Sequence, residues 1–225
     1  MDEGSVRAGA ADPLAARIGT AARERLRAAC VGIAGAGGLG SNIAVMLARS
    51  GIGALRIVDF DAVDASNLNR QHYFRQHVGM PKVEALADQL RAIDPKIVVD
   101  ARCERVTAAN ARALFAGCPL VCEAFDAPEA KALLVEELLA QPDGPVVIAG
   151  NGMAGLGPAT EIVTRRVGRR LYLCGDGRSD VGAGQVLYAP RVALCAAQQA
   201  LIALRLIMGE EAPEGSGAFP RPYRT

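Results

Sequence analysis

Short apolar runs alternate with longer amphipathic segments over the first 150 residues of the chain. The apolar runs predict five buried strands, at residues 30–35, 55–58, 97–99, 120–122 and 146–149. Between them, apolar residues spaced three and four apart predict helices, near residues 39–47, 83–93, 107–116 and 128–139. Because strands that alternate with helices are joined by right-handed crossovers, this order predicts an α/β fold with a mainly parallel sheet.

The pattern changes after residue 150. Residues 161–167 and 171–173 predict two further strands, which would form a short antiparallel extension of the sheet near the C-terminus. Residues 191–208 predict a last helix whose polar positions form one narrow stripe. Such a helix is expected to be largely buried.

These elements divide the chain into three parts. An amphipathic helix with a basic face is predicted at residues 15–29, so residues 1–29 are expected to form an N-terminal helical arm. Residues 30–208 are expected to form a single domain. Residues 209–225, which contain several Pro and Gly, are expected to form a loose tail.

A glycine motif lies between the first predicted strand and its helix. Gly35, Gly37, Gly38 and Gly40 form a G-x-G-x-x-G pattern, and Asp59 ends the second strand. Glycine lets the backbone approach a phosphate, and a helix N-terminus favours negative charge. An acid at the position of Asp59 binds a ribose hydroxyl in such sites. The motif predicts an adenine-nucleotide site on a Rossmann-like sheet with helices on both faces, and leaves NAD and ATP both open.

The charged residues after Asp59 favour ATP over NAD. Arg70 and Lys82 follow the second strand, with Asn67 and Asp61 in the same stretch. Hydride transfer has no use for two cations so close to the ribose acid, whereas they can neutralise the charge that develops on a leaving pyrophosphate. Asp61 is expected either to touch the nucleotide or to shape the turn.

A carboxylate after the fourth predicted strand is a candidate metal ligand. Asp126 lies at the carboxyl edge of the sheet, where open α/β sheets bind ligands. A carboxylate there can hold Mg²⁺ on phosphates. For Glu123, three residues earlier, a functional role and a local cap are equally open.

Composition narrows the classes of function. The 25 Lys and Arg against 24 Asp and Glu give a net charge of +1, and aromatic residues make up 4% of the chain. A basic nucleic-acid binder and a base-stacking surface are therefore disfavoured. The six cysteines include no CxxC pair, so no structural zinc is expected.

The chain shows no signal for export or for a membrane span. Its first residues lack a basic and apolar leader, and residues 192–208 are judged too short and too polar to cross a bilayer. We therefore expect a cytoplasmic protein with no membrane and no nucleic-acid partner.

Five ordered motifs resemble the ThiF/MoeB-type adenylyltransferases of the ubiquitin-activating-enzyme superfamily. They are GAGGLG, DFD, SNLNRQ, GMPK and the aspartate at 126, within a likeness that runs from about residue 17 to residue 157. The short length and three later segments resemble a compact ThiF-related subgroup, the sulfur-carrier-protein adenylyltransferases of thiamine (thiazole) biosynthesis. The resemblance implies ATP-dependent adenylation of the C-terminal glycine carboxylate of a small ubiquitin-like carrier ending in Gly-Gly, with release of pyrophosphate.

The resemblance also implies roles for individual residues. The glycine loop would pack against the nucleotide, Asp59 would bind the ribose, and Asp126 would hold Mg²⁺. Asn67, Arg70 and Lys82 would contact the phosphates. Members are homodimers in which an N-terminal Arg reaches the ATP of the partner subunit. Arg17 is the first candidate for that residue and Arg23 the second.

Two departures from the family pattern matter. Ala127 stands where the family commonly has Asn, so one nucleotide contact is missing. Some relatives carry a cysteine that takes the carrier onto itself; Cys174, in a Gly-rich segment, is a candidate that we do not assign as catalytic. The alternatives left open are a carrier of a molybdopterin or natural-product pathway, a tRNA-modifying dehydratase and, with less support, an NAD-dependent oxidoreductase.

Overall fold

A seven-stranded sheet forms the centre of the computed structural model, which describes residues 12–210. The strands are β1 (Cys30–Ala34), β2 (Ala54–Val58), β3 (Val98–Arg102), β4 (Leu120–Glu123), β5 (Val146–Gly150), β6 (Val163–Val167) and β7 (Leu171–Gly175). They lie in the order β3-β2-β1-β4-β5-β7-β6. All neighbouring pairs are parallel except β6 with β7, which is antiparallel. The predicted fold class is confirmed.

Helices cover both faces of the sheet. They are α1 (Pro13–Ile18), α2 (Thr20–Ala28), α3 (Gly38–Arg49), α4 (Lys82–Ile93), α5 (Ala111–Leu114), α6 (Pro128–Leu139) and α7 (Ala189–Met208). One apolar core contains residues of α3, α4 and α7, and a second contains residues of α5 and α6. Burial on both faces explains why the central strands have continuous apolar runs rather than alternating ones.

The N-terminal arm differs from its prediction as a single helix over residues 15–29. Gly19, with a φ of 88°, separates α1 from α2. The arm is also tied to the domain through Arg23, which is buried and donates to the carbonyl of Gly51 at 2.6 Å. Arg23 forms ion pairs with Asp12 at 2.7 Å and Asp94 at 3.6 Å. Because its guanidinium is held within its own chain, Arg23 is a poor candidate for a contact with a partner subunit.

Other element boundaries also differ from the sequence pattern, most clearly at α5 and β3. The helix predicted over residues 107–116 is the single turn α5, and residues 108–110 form a turn before it. β3 continues to Arg102, because Asp100 on this strand accepts from Arg56 on the neighbouring β2 at 2.7 Å. The ion pair between Arg56 and Asp100 thus lies on the part of β3 that follows the apolar run ending at Val99. Of the predicted tail, residues 211–225 lie outside the described residues.

Helix α7 is long and apolar enough to cross a membrane by length and composition alone, which corrects our expectation for residues 192–208. Its residues pack against α3 and also against β5, β6 and β7. Val192, Cys195, Ala196 and Ala203 are buried in the apolar core. A core helix passes the same test of length and composition, and this packing accounts for its apolar character.

Candidate functional site

The carboxyl ends of three neighbouring strands are joined where the glycine loop begins. The N–H of Gly35 donates to the carbonyl of Val58 at the end of β2, and the N–H of Ala124 donates to that of Ala34 at the end of β1, each at 2.8 Å. Asp59 follows Val58 directly, and Asp126 follows Ala124 by two residues. These bonds place both predicted acidic residues on strand ends next to the glycine loop.

The glycine loop folds back on itself more tightly than any other residue type would allow. A Cβ at Gly40 would overlap the Gly35 carbonyl oxygen, far inside van der Waals contact distance. Gly35 has a φ of 97°, and a Cβ there would lie 2.8 Å from the carbonyl oxygen of Ala124. Gly37 caps α3 without a side chain, so the first N–H groups of the helix have no side-chain acceptor. The loop therefore has the form of an anion cradle at a helix N-terminus.

Asp59 is held rigidly beside this cradle. Its Oδ2 accepts the N–H of Ala36 at 2.6 Å, and its Oδ1 accepts the N–H of Asp61 at 2.8 Å. Burial raises the pKa of the Asp59 carboxyl above its usual range, while the two N–H bonds and the charge of Lys82 oppose that shift. Each oxygen keeps a second lone pair, so the carboxylate can accept a hydroxyl hydrogen from a sugar.

The segment that carries Arg70 is attached to the start of α3. Asn42 on that helix donates to the Arg70 carbonyl at 3.2 Å. The Arg70 side chain passes over the cradle, since a Cβ at Gly38 would lie 3.7 Å from its Cγ. The Arg70 guanidinium donates to the Oδ1 of Asn67 at 2.7 Å, so these two predicted phosphate ligands lie together.

Lys82 and Asp61 form an ion pair at the same edge of the sheet. Their Nζ and Oδ2 atoms are 2.8 Å apart, with the lysine side chain 7% exposed and the aspartate 48% exposed. Tyr73, which the sequence did not single out, connects this pair to the glycine loop. Its buried hydroxyl lies 2.7 Å from the carbonyl of Ala36 and 3.3 Å from that of Lys82, and it donates its hydrogen to them. The ion pair with Asp61 and the hydrogen bond from Tyr73 therefore hold Lys82 close to the glycine loop.

Asp126 is exposed, in contrast to Asp59. Among residues 12–210, no group of three His, Cys, Asp or Glu side chains is arranged to hold a metal ion. Mg²⁺ that is bound together with phosphates commonly uses only one or two protein carboxylates and keeps its waters. The single carboxylate of Asp126, next to the glycine loop, fits that mode of binding and does not fit a metal cage made by protein alone.

Glu123 forms a buried ion pair that the sequence pattern did not reveal. Its carboxylate is fully buried, lies 2.8 Å from the Nζ of Lys131 on α6, and accepts the N–H of Phe125 at 2.7 Å. Burial raises the pKa of Glu123, and Lys131 opposes that shift. Lys131 also donates to the Phe125 carbonyl at 2.9 Å. The pair therefore fixes the backbone that leads directly into Asp126.

The second glycine-rich stretch, residues 150–157, is anchored by Arg191 at the start of α7. This buried arginine donates to the carbonyl of Gly157 and forms an ion pair with the buried Asp176. Burial opposes ionisation of Asp176, but N–H bonds from Ser179 and Arg178 and the charge of Arg191 lower its pKa below the usual range. Arg191 and Asp176 thus hold the glycine-rich stretch at its C-terminal end, at Gly157.

Cys174 does not have the environment of a nucleophile. The thiol is fully buried, and burial raises its pKa to about 11. A thiolate is the reactive form of cysteine, and neutral pH leaves this thiol protonated. The structure thus gives no support to Cys174 as a covalent attachment site for a carrier.

Arg17 is the one predicted site residue that lies away from the others. It is exposed on α1, and Leu14 of the same helix packs beside Gly51, beyond the C-terminal end of α3. The cradle lies at the opposite end of α3, whose twelve residues span about 17 Å at 1.5 Å per residue. Arg17 therefore does not join the cradle of its own chain.

The fold and this loop define a Rossmann-like protein whose glycine loop has the form of an anion cradle at the switch point of the sheet. The model of the ThiF family matches residues 11–221. The chain belongs to the ThiF family, which confirms the resemblance seen in its motifs.

Named relatives agree with this assignment. The chain is 31% identical over 209 residues to "Adenylyltransferase and sulfurtransferase uba4" of Pyricularia oryzae, a match that covers 84% of the chain and 41% of the relative. It is 37% identical over 111 residues to the "Sulfur carrier protein adenylyltransferase" of Thermus thermophilus, covering 49% of the chain and 41% of the relative. The chain thus spans less than half the length of these curated relatives.

A solved structure matches over nearly its whole length. The Escherichia coli tRNA N6-threonylcarbamoyladenosine dehydratase, TcdA, in complex with ATP superposes with a TM-score of 0.77 at 25% identity. The match covers 87% of this chain and 92% of that one.

Alanine should lower the stability of the protein at Gly40 but obstruct phosphate binding at Gly37, because the two glycines have different steric surroundings. Gly40→Ala must displace the Gly35 carbonyl, so we expect it to destabilise the protein by about 1–3 kcal/mol. Gly37→Ala meets only Gln71, at 3.7 Å, and should leave stability nearly unchanged while obstructing phosphate. Chemical denaturation and ATP titration of both variants measure this. Equal stability of the two variants would contradict the described loop.

The ion pair of Glu123 predicts a stability loss that depends on pH. Lys131→Met leaves a fully buried carboxylate unpaired, and we expect about 3 kcal/mol of destabilisation at pH 8. Since the folded pKa of Glu123 is raised, its protonated form is favoured in the fold, so the loss should shrink as pH falls towards 5. Lys131→Arg, which keeps the charge, serves as the control. A loss independent of pH would show that packing, not charge, is what Lys131 supplies.

Proposed function

We propose that this chain is an ATP-dependent adenylyltransferase for the C-terminal glycine carboxylate of a small ubiquitin-like sulfur-carrier protein ending in Gly-Gly. The observation that carries the proposal is that Arg70 and Lys82 lie beside one glycine cradle that also holds Asp59, the proposed ribose ligand. An oxidoreductase would have no use for these cations, so the arrangement favours a triphosphate. The narrower assignment, to thiamine (thiazole) biosynthesis, rests on the resemblance of short motifs alone.

The reaction needs alignment and charge neutralisation rather than a base. A carboxylate with a pKa of about 3.5 is already ionised when it attacks the α-phosphate. Arg70 and Lys82 would neutralise the charge that develops on the departing pyrophosphate, and the N-terminus of α3 would hold the phosphates in line. His77, a histidine close to Arg70 in sequence, is not placed to act as a base, because its Nδ1 accepts the N–H of Phe74 at 3.1 Å.

Asp126 is the residue that would hold Mg²⁺ in this proposal. The ion would neutralise phosphate charge and hold the triphosphate in a single geometry. The buried pair of Glu123 and Lys131 would position Asp126 by fixing the backbone before it. This role explains why a costly buried carboxylate stands at the end of β4.

A homodimer is part of the proposal, because Arg17 cannot serve its own cradle. The arm that carries it packs at the opposite end of α3, with Arg23 as its buried anchor. A symmetric dimer could bring the exposed Arg17 of one subunit to the phosphates of the other. The six free cysteines agree with the proposed cytoplasmic location, where thiols stay reduced.

One observation favours a second candidate function, a tRNA-modifying dehydratase. The E. coli dehydratase matches this chain both in structure, with a TM-score of 0.77, and in sequence, at 40% identity over 105 residues. Both functions would use the same ATP cleft. They differ in the acceptor, which is a carrier carboxylate in one and a modified tRNA base in the other.

Carrier-dependent exchange of pyrophosphate into ATP is the direct test of the proposed activity. We expect the wild-type chain to catalyse this exchange with a carrier ending in Gly-Gly, and Arg70→Ala and Asp126→Ala to lower the rate by a factor of about 10². Arg91→Ala, an exposed arginine on α4 paired with Asp88, is the control and should keep the full rate.

The substrate that supports ATP turnover, a carrier protein or a tRNA, distinguishes the adenylyltransferase from the dehydratase. Exchange with carriers of thiamine, molybdopterin and natural-product pathways would identify the carrier class. If both site variants keep the wild-type rate, the proposed adenylation is wrong. If ATP is consumed with tRNA and no carrier supports exchange, the dehydratase is the correct function.

Mixing two inactive variants tests the dimer. Arg17→Ala and Arg70→Ala should each be inactive alone, while mixed dimers contain one intact site in which Arg17 and Arg70 come from different subunits. After subunit exchange, about a quarter of wild-type activity should return in an equal mixture, because half of the dimers are mixed and one of their two sites is intact. Arg27→Ala, on the neighbouring helix, is the control. An equal mixture without recovery would show that Arg17 does not act across the dimer.

A further inference from the structure

Two cysteines meet at the end of the sheet opposite the nucleotide cradle. Cys30 is the first residue of β1, and Cys118 comes two residues before β4, the neighbouring strand. Their Sγ atoms are 3.8 Å apart and share a hydrogen. Cys30 is half-buried, whereas Cys118 is 4% exposed. Neither residue is used in the proposed adenylation.

The segment before Cys118 is held against β1 and β2 by two independent contacts. Arg56 on β2 donates to the carbonyls of Leu114 at 3.1 Å and Ala116 at 2.6 Å. Phe115 fills the space left by the missing side chain of Gly32, where a Cβ would lie 2.8 Å from the phenyl ring. The two sulfur atoms are thus brought together by the folded core, rather than by chance approach of a loose loop.

From this geometry we infer that Cys30 and Cys118 form a reversible redox site that a peroxide converts into a disulfide. The sulfur atoms must approach by about 1.8 Å to reach a disulfide length of about 2.05 Å. Rotation of the two side chains can supply such a movement while the strands stay paired. The inference does not rest on the proposed function.

The exposures of the two thiols assign their order of reaction. The Cys30 thiolate attacks one oxygen of hydrogen peroxide, the O–O bond breaks, and the departing hydroxide takes up a proton to leave as water. The resulting Cys30 sulfenic acid is attacked by the sulfur of Cys118, the S–O bond breaks, and the hydroxide leaves as water with the Cys118 proton. Two thiols are oxidised by two electrons and one peroxide is reduced to two waters.

The electrostatic surroundings agree with this order. The hydrogen bond from Cys118, assisted by the nearby charge of Arg56, lowers the pKa of Cys30 to about 7 against the opposing effect of burial. The same contact and burial raise the pKa of Cys118. Because the thiolate is the nucleophile, Cys30 reacts with the oxidant and Cys118 resolves the product.

Peptide mapping of the oxidised full-length chain tests the inference. The reduced protein is treated with hydrogen peroxide, remaining thiols are alkylated under denaturing conditions, and the chain is digested with trypsin without reduction. We expect peptide 28–49, which contains Cys30, joined to peptide 113–131, which contains Cys118. Its mass should be lower than the sum of the two peptides by two hydrogen atoms, and dithiothreitol should release it. Fragment ions distinguish Cys118 from Cys122 on the second peptide.

Variants make the assignment specific. Cys30→Ala and Cys118→Ala should each abolish the joined peptide, and Cys103→Ala, which removes the exposed cysteine, should leave its yield unchanged. Mapping of the wild-type chain decides the matter even if the buried Cys118→Ala variant fails to fold. A joined peptide that uses Cys103 or Cys122, or Cys30 recovered only as free thiol or as sulfinic acid, would overturn the inference.

Discussion

The candidate site depends on one close approach of the backbone to itself, between Gly35 and Gly40. No side chain fits between the Gly35 carbonyl and the Cα of Gly40, so the chain can turn from β1 into α3 within a few residues. That turn places the N-terminus of α3 at the carboxyl edge of the sheet, where its N–H groups are free of any side-chain cap. The cradle for an anion is therefore a consequence of backbone geometry.

The turn also positions the charged residues of the candidate site. The carbonyl and N–H of Ala36, inside the loop, bind Tyr73 and Asp59, so the loop itself holds the proposed ribose ligand and the segment between β2 and α4. Lys82, the first residue of α4, is connected to the loop through the Tyr73 hydroxyl, and the Arg70 stem lies over Gly38. A net charge of +1 over the whole chain thus conceals two cations and an acid that the fold collects at one sheet edge.

Local signals in the sequence were sufficient for much of this arrangement. The strand–glycine–helix order predicted the cradle, and the positions of Asp59 and Asp126 after strands predicted the sheet edge on which they lie. Tyr73, Lys131 and the burial of Arg23 could not be predicted in this way, because each depends on contacts with distant segments. Lys131 lies in a helix whose spacing gives no sign of its buried partner Glu123. The position of Arg17 before the helix put it ahead of Arg23 as a candidate, but nothing in the sequence indicated that Arg23 is buried. The structure distinguishes these two arginines, since Arg17 is exposed whereas Arg23 is buried and held by Gly51 and Asp12.

The central claim is that the turn at Gly35 and Gly40 builds one ATP cleft from the ends of β1, β2 and β4. A crystal structure of the protein with a non-hydrolysable ATP analogue and Mg²⁺ tests it most directly. We expect the ribose on Asp59, the phosphates on the N-terminus of α3 between Arg70 and Lys82, and the metal within reach of Asp126. An analogue bound with its ribose away from Asp59, or with its phosphates away from the glycine loop, would contradict the account.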